Sequence, residues 1–551
     1  MADINNPFCP LPKERLMVNL KDGKGKIEAL LDKAAASFDT VANYRSPVVP
    51  SGSCAGAALR SAIDLLSPMC GRVLWFFMDI PSAGYAALKS RNNRSLYNTE
   101  KEKIMFLPDE KDKAYREMTE LCVKERVGVD VFACTQGDVD LATIAPIAGL
   151  TGGEIYYYPV FNSADAGEKL HFDIFRNLTR KTVYDVSIKA RCSIGLSIEN
   201  YYGGFGETVN EPIQLSVMDA DKTIAFTLKQ TSNLSSGSQA YFQLAILYTT
   251  TRMERKVRIL NYAFAVTDQV PQVYSSIDVD AVLGLEIRQT ASLIHKMTLS
   301  NARNRLCQAC INILTHYRKV VSKTTASVQF ILPESLKIYP LLLLGLLKTP
   351  ACGFTDWFRL DAKVANLLQL MQGSFAYTLM KLYPKMYSVS KIIDPSQESG
   401  RMIANENEQA VSESVFKPSN IPCSIEKIVP NDAYLIANSD FIYLYLPKDV
   451  SETVLTEIFD ISLLSDIVPE NGIPTLKTEG NIRLRNVIEG LRKERAGAYQ
   501  QVKILLHSSP QAPLILKELL VEDSRNPKSE FSYLSFLAHL HKMVLNKLQS
   551  F

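Results

Sequence analysis

The chain has 551 residues, several times the size of one domain, so roughly three to five domains are expected. Its net charge of +3 is close to balance and argues against nucleic acid as a whole-chain partner. The apolar share of 46% and charged share of 22% are those of a globular protein, which excludes a disordered or fibrous chain.

The opening MADINNPFCPLPKERLMVNL lacks a basic segment followed by an apolar run and does not read as a secretory signal. To about residue 162, helical and strand patterns alternate. CAGAALRSAIDLL is helical, GRVLWFFMDI is a short apolar and aromatic run, KAYREMTELCVKER has helical spacing, and VGVDVFAC is a second apolar run. GEIYYYPVF adds another strand. Helix and strand alternating, with strands apolar on both faces, predict an α/β layer built on a parallel sheet.

From 163 to 282 the pattern becomes strand after strand: VYDVSIKARCSIGLSI, TIAFTLKQ, AYFQLAILYTT and ERKVRILNYAFAV, a β-sandwich signature. Asn200–Gly206 (NYYGGFG) reads as a loop whose glycines supply unusual backbone angles. Residues 283–393 read as helical, including Tyr339–Leu347 (YPLLLLGLL), which is far shorter than the roughly 20 residues of a membrane-spanning helix. Polar residues 394–422 read as a linker. A second α/β unit covers 423–515, with strands AYLIANS and FIYLYLP, and a helical segment, 516–551, closes the chain.

No chemistry stands out. His539 and His541, two apart on a helix, point about 200° apart and do not converge on one ion. Cys307 and Cys310 have C-x-x-C spacing but no second pair, and read as core-facing residues of a helix. The ten cysteines are scattered and fit free thiols in a reducing compartment, the cytosol by default. There is no GxxxxGK[ST] phosphate loop, no GxSxG nucleophile elbow, and no DxSxS metal motif after an early strand. A non-enzymatic protein is expected.

Val127–Phe161 (VGVDVFACTQGDVDLATIAPIAGLTGGEIYYYPVF) resembles the trunk domain of the cargo-adaptor subunits of the COPII vesicle coat, the Sec twenty-four family. T-G-G-x-x-Y-Y-Y-P after V-D-V-F separates it from the sister subunit, Sec twenty-three, which shares the T-G-G. Further matches follow in order: KARCSIGLSIENYYGGF, QLAILYTTTRMERKVRIL, ARNRLCQACINILTHYRK, LPESLKIYPLLLLGLLKTPA, LYPKMYSV and the closing ELLVEDSRNPKSEFSYLSFLAHLHKMV. The resemblance implies a multidomain α/β plus β architecture. A truncated von Willebrand A-like trunk (1–162), a β-sandwich (163–282), an all-helical domain (283–393) and, after the linker, a gelsolin-like domain (423–515) precede the C-terminal helical segment. The family's N-terminal tail, first sandwich strands, four-cysteine zinc finger and opening trunk strands are expected upstream of residue 1, so no cofactor is expected in this chain. In the gelsolin-like unit the family's D-N-G turn is Ala437–Asn438–Ser439 and its W-x-G is Tyr445–Leu446–Pro447. These departures weaken an actin or calcium role.

The resemblance implies an adaptor that packages cargo into vesicles leaving the endoplasmic reticulum for the Golgi. Its partners would be a Sec twenty-three subunit as heterodimer, a Sar-type GTPase indirectly, outer coat subunits, cargo and SNARE cytoplasmic tails, and an anionic membrane surface. It would be cytoplasmic and peripheral on exit-site and vesicle membranes. Carried over position by position, Lys189 and Arg191 fall on the basic strand of a pocket for acidic signals, and Leu247 falls on its apolar floor. A further arginine position of that pocket falls on Thr208. Alternate strand positions share a face, and carboxylates seek such cations; the solvated face of an edge strand is the other reading of the pair. The basic run Arg252, Arg255, Lys256 and Arg258 could face anionic lipid or simply flank a tight turn. Two other functions stay open: a gelsolin-like actin-binding regulator, and the GTPase-activating sister coat subunit.

Overall fold

A computed structural model describes residues 3–9, 11–43, 52–67, 69–109, 112–209, 212–322, 329–353, 358–394, 418–494, 499–526 and 530–549. Its first unit is a parallel sheet of β1 (Gly71–Phe77), β2 (Val127–Thr135) and β3 (Ile155–Pro159), in that spatial order. Every residue of the central strand β2 is buried, as a parallel sheet covered on both faces requires. Val73, Trp75 and Phe77 join Val129, Val131 and Ala133 on one face, where the helices Ala55–Leu66, Lys113–Lys124 and Leu141–Thr151 cover them. On the other face Phe76, Phe132 and Tyr156 stack in a row across the three strands, with ring centroids 4.5 Å apart.

That second face is covered by a helix, Ser163–Thr179, which the predicted boundaries assigned to the strand-rich sandwich domain. Asn162 caps it by accepting from the Ala164 amide, and Leu170 and Ile174, one turn apart, pack on Phe132 and Tyr158. A spacing of four apolar positions outweighs the strand-rich context that follows.

The sandwich pairs β4 (Thr182–Cys192), β5 (Leu196–Gly203), β6 (Gly206–Val209), β7 (Ile213–Asp219), β8 (Ala225–Gln230), β9 (Gln239–Thr249) and β10 (Arg255–Ala265). One sheet has the order β10-β9-β4-β7 and the other β6-β5-β8. Val186, Ile188, Ile198, Tyr201, Ile213 and Leu215 form the core between them. The expected loop Asn200–Gly206 is mostly strand: β5 runs to Gly203 and β6 resumes at Gly206. Neither Gly203 nor Gly204 has a left-handed backbone. They serve close approach instead, since a Cβ on Gly204 would lie 2.4 Å from Gln372 Cγ.

The helices Val279–Leu293, Leu299–Tyr317, Tyr339–Leu347, Leu360–Gln372 and Phe375–Leu382 make the third unit. Tyr339–Leu347 is almost wholly buried in its core. Among the described residues no helix is long and apolar enough to cross a membrane. The fourth unit is a sheet of β11 (Lys385–Ser388), β12 (Tyr434–Ala437), β13 (Phe441–Leu446) and β14 (Gln501–Leu506), in sequential order. Helices Glu452–Phe459 and Glu479–Glu494 pack on one face, and Ala512–Leu519 packs on the other.

Two features depart from the predicted boundaries. Residues 385–388, placed with the helical domain, form β11 and pair with β12. The last helix, Tyr533–Gln549, returns to the third unit, where Phe536, Leu540 and Val544 share a core with Leu306, Cys310 and Leu314. Most of the predicted linker, 395–417, lies outside the described residues.

Candidate functional site

The T-G-G segment sets how the sandwich sits on the first unit. The Thr151 hydroxyl donates to the Ile147 carbonyl at 2.6 Å and accepts from the Val129 amide at 3.1 Å. Gly152 ends the helix in a left-handed conformation (φ +82°), and a Cβ there would lie 2.0 Å from the Val217 carbonyl oxygen. A Cβ on Gly153 would lie 1.9 Å from the Val129 carbonyl oxygen. Both glycines are therefore dictated by backbone meeting backbone.

The tyrosines that follow continue the junction. Tyr158 donates to Asp173 at 2.7 Å, tying β3 to the helix Ser163–Thr179, and Tyr156 donates to Glu154 at 2.6 Å. Arg180 bridges Glu154 at 2.6 Å and Asp219 at 3.1 Å, while Lys222 donates to the Gly153 carbonyl at 3.0 Å. Burial alone would raise the Glu154 carboxyl, but Arg180, Lys222 and Tyr156 outweigh it and hold it well below the usual carboxylate range. The junction is a rigid polar clamp, and β4 leaves directly from it.

Along β4, Val186, Ile188 and Ala190 point into the core, while Lys189 and Arg191 point out and are exposed. An irregularity between Tyr184 and Ser187, where Asp185 has a positive φ, sets this alternation. The strand is interior as far as Ile188, which pairs with Ile213 of β7. Among the described residues, only β9 flanks it from Lys189 to Cys192. The pair therefore lies beyond the rungs that β4 shares with β7, on a strand that is interior up to Ile188.

Register places Leu247 opposite Ser187, Ala245 opposite Lys189 and Gln243 opposite Arg191. Residues directly opposite share a face, so Leu247 lies on the same outer face, diagonal to Lys189, a separation of about 7–8 Å in such pairs. The structure thus brings all three predicted site residues onto one surface. It also adds two residues the sequence reading missed: Val257 lies opposite Leu247 and Ile259 opposite Ala245, both on β10 and both exposed. Their signal was the alternation within RKVRIL, masked there by the basic residues between them. Neither Lys189 nor Arg191 has a hydrogen bond or ion pair among the described residues, so each presents an open charge beside an apolar strip.

The basic run does not form one patch. Arg252 sits on the exposed turn before β10. Arg255 is held by Asp185 at 2.8 Å, and Lys256 by Glu254 at 2.5 Å. Arg258 is exposed, shares a side of β10 with Lys256, and faces opposite to Arg255. Carboxylates thus offset two of the four cations.

Elsewhere, Cys310 is buried and Cys307 half-buried in the helical core, and among the described residues no group of His, Cys, Asp and Glu is placed to hold a metal. His539 stacks on Phe531 at 5.0 Å, and His541 packs on Phe330 at 5.4 Å.

Family models match in chain order: the Sec23/Sec24 trunk domain over residues 1–178, the Sec23/Sec24 beta-sandwich domain over 183–267 and the Sec23/Sec24 helical domain over 278–380. Protein transport protein SEC24 B of Arabidopsis thaliana is 28% identical over 551 residues, covering 100% of this chain and 48% of that protein. Human protein transport protein Sec24B is 27% identical over 548 residues, covering 99% of this chain and 41% of that protein. The chain spans about half the length of the curated relatives it matches. Among solved structures, the human COPII-coat protein Sec24c superposes with a TM-score of 0.84 at 25% identity, over 97% of this chain and 68% of that one.

Proposed function

The chain belongs to the Sec23/Sec24 family, and on that premise we propose that it is a COPII coat adaptor of the Sec24 type, binding acidic sorting signals on the cytoplasmic tails of cargo and SNARE proteins. The observation that carries the reading is the outer face of the β10-β9-β4-β7 sheet, where unpaired Lys189 and Arg191 stand beside Leu247, Ala245, Val257 and Ile259. A peptide carrying a carboxylate and apolar side chains meets both chemistries there. The guanidinium of Arg191 offers a two-pronged hydrogen bond to the carboxylate, and the strip buries the apolar side chains.

The action is binding without catalysis. Modest contacts gain strength when many copies engage tails on one membrane. In this reading the first unit pairs with a Sec23-type subunit, which carries a Sar-type GTPase, and outer coat subunits assemble on the pair. The complex lies peripherally on the cytoplasmic face of endoplasmic reticulum exit sites and vesicles, where exposed Arg252 and Arg258 contribute about 1 kcal/mol each against anionic lipid.

The test is a titration of an acidic tail peptide against wild type and Arg191→Ala. Affinity should fall about tenfold while retention of a Sec23-type partner is unchanged; an unaltered peptide affinity refutes the site.

A further inference from the structure

In the fourth unit the helices Glu452–Phe459 and Glu479–Glu494 are joined by a connection running from Asp460 to Thr478. That is far longer than the about 2–8 residues that usually join packed helices. The connection is pinned to its own unit. Ile461, Leu464, Ile467 and Ile473 pack against the core under the two helices. The fully buried Asn481 side chain donates to the Ile458 carbonyl at 2.8 Å and to the Pro474 carbonyl at 2.9 Å, which fastens both ends. Two short turns, Leu464–Asp466 and Pro469–Asn471, stiffen the middle, and the second lies against β14. Between these anchors Leu463 and Val468 point outwards, 62% and 51% exposed. The result is an apolar ridge whose shape is set before any partner arrives, so binding costs it little ordering.

Charge decides what covers this ridge. From Asp449 to Leu476 the sequence has no Lys, Arg or His, yet it carries Asp449, Glu452, Glu457, Asp460, Asp466 and Glu470. None of these carboxylates makes an ion pair among the described residues. The next ion pair along the chain, Arg483 with Glu479 at 2.7 Å, lies past the end of the stretch. Glu457 is half-buried and accepts from the Gly480 amide at 3.0 Å, and the others are exposed. The whole chain carries +3, so the negative field belongs to this face alone.

We propose that this face docks a basic–apolar segment of a partner protein. Its lysines or arginines meet Asp460, Asp466 and Glu470, while its apolar side chains cover Leu463 and Val468. The same charge repels anionic lipid and nucleic acid, which leaves a protein as the occupant. The site lies on a different unit from the Lys189–Arg191 face, carries the opposite charge and does not rest on it.

The experiment uses the full chain and a fluorescent peptide in which leucines are spaced among lysines. Anisotropy should show saturable binding that weakens about tenfold when Asp466→Lys and Glu470→Lys are combined, and about as much when Leu463→Ser and Val468→Ser are combined. All four positions are exposed, so the variants keep the fold. A peptide with glutamates in place of the lysines should not bind. Glu117→Lys, which reverses an exposed carboxylate of the first unit, should bind the lysine peptide as wild type does. Arg191→Ala should do the same, which separates failure here from failure of the outer-face site. The proposal is overturned by absence of saturable binding, or by a loss in Glu117→Lys equal to that in the Asp466–Glu470 variant. Full affinity in the Leu463–Val468 variant also overturns it. So does dimerisation of the unliganded protein that the Asp466–Glu470 variant abolishes, which would assign the face to a second copy.

Discussion

Lys363, on the helix Leu360–Gln372, donates to Glu102 of the first unit at 2.6 Å, with both side chains almost wholly buried. The ammonium also lies 4.1 Å from the centre of the Tyr97 ring. Two residues earlier on the same helix, Asp361 accepts from the Val139 and Leu141 amides at 2.7 Å each. The first and third units are therefore joined by a buried polar seam, and the seam governs what truncating either partner does.

Lys363→Met should destabilise the protein by about 3–5 kcal/mol, because it strands the Glu102 carboxylate in a dry site. Lys363→Met combined with Glu102→Leu should recover most of that loss. Chemical denaturation of the two variants against wild type measures the difference; a double variant no more stable than the single one would refute the pairing argument.

Gly153→Ala should be among the most damaging small substitutions in the chain. Its new methyl meets the Val129 carbonyl oxygen at 1.9 Å, and neither backbone can yield without shifting β2 or the sandwich. A loss above about 2 kcal/mol, or insoluble expression, is expected. Gly25→Ala is the contrast, since it lies in the helix Leu20–Asn43 with nothing within 4 Å of its Cβ. There the change should stabilise by about 0.5–1 kcal/mol. Thermal melts of the two variants decide both expectations.

Glu286 should make stability fall as pH rises across neutrality. Burial pushes its carboxyl up to about 7 from an ordinary 4.5, against the opposing effects of the Tyr339 hydroxyl that donates to it and of Arg305. With the folded-state value above the unfolded one, the stabilisation is complete below pH 4.5 and is lost as pH passes through about 7. Wild type should lose about 2–3 kcal/mol relative to Glu286→Gln between pH 4.5 and pH 8. Parallel pH profiles for the two proteins would contradict this assignment.

Much of the fold was legible because its strands announce themselves locally. VGVDVFAC is apolar on both faces and became the central parallel strand, while KARC alternates and became a strand with Lys189 and Arg191 outside. Ser163–Thr179 was misread because charged residues sit between its apolar positions and strands follow it at once. The placement of β11 was not legible at all: four residues after a helix carry no sign that their partner is β12, beyond residue 430. The site divided in the same way. Alternation along β4 was readable, but the register that sets Val257 and Ile259 beside Leu247 depends on pairing between distant strands. The neutralisation of Arg255 by Asp185 likewise joins residues 70 apart.

Because β11 leaves the helical core and the helix Tyr533–Gln549 comes back to it, the fourth unit is an insertion with two covalent attachments. It cannot swing as a bead on one tether; any displacement must bend the chain at both stems together. A single backbone cut between residues 394 and 418 would leave the two pieces clasped by β11 on β12 and by Phe536, Leu540 and Val544 in the helical core. Removing the last 19 residues would strip that core of those three side chains, injuring the middle of the protein from its far end.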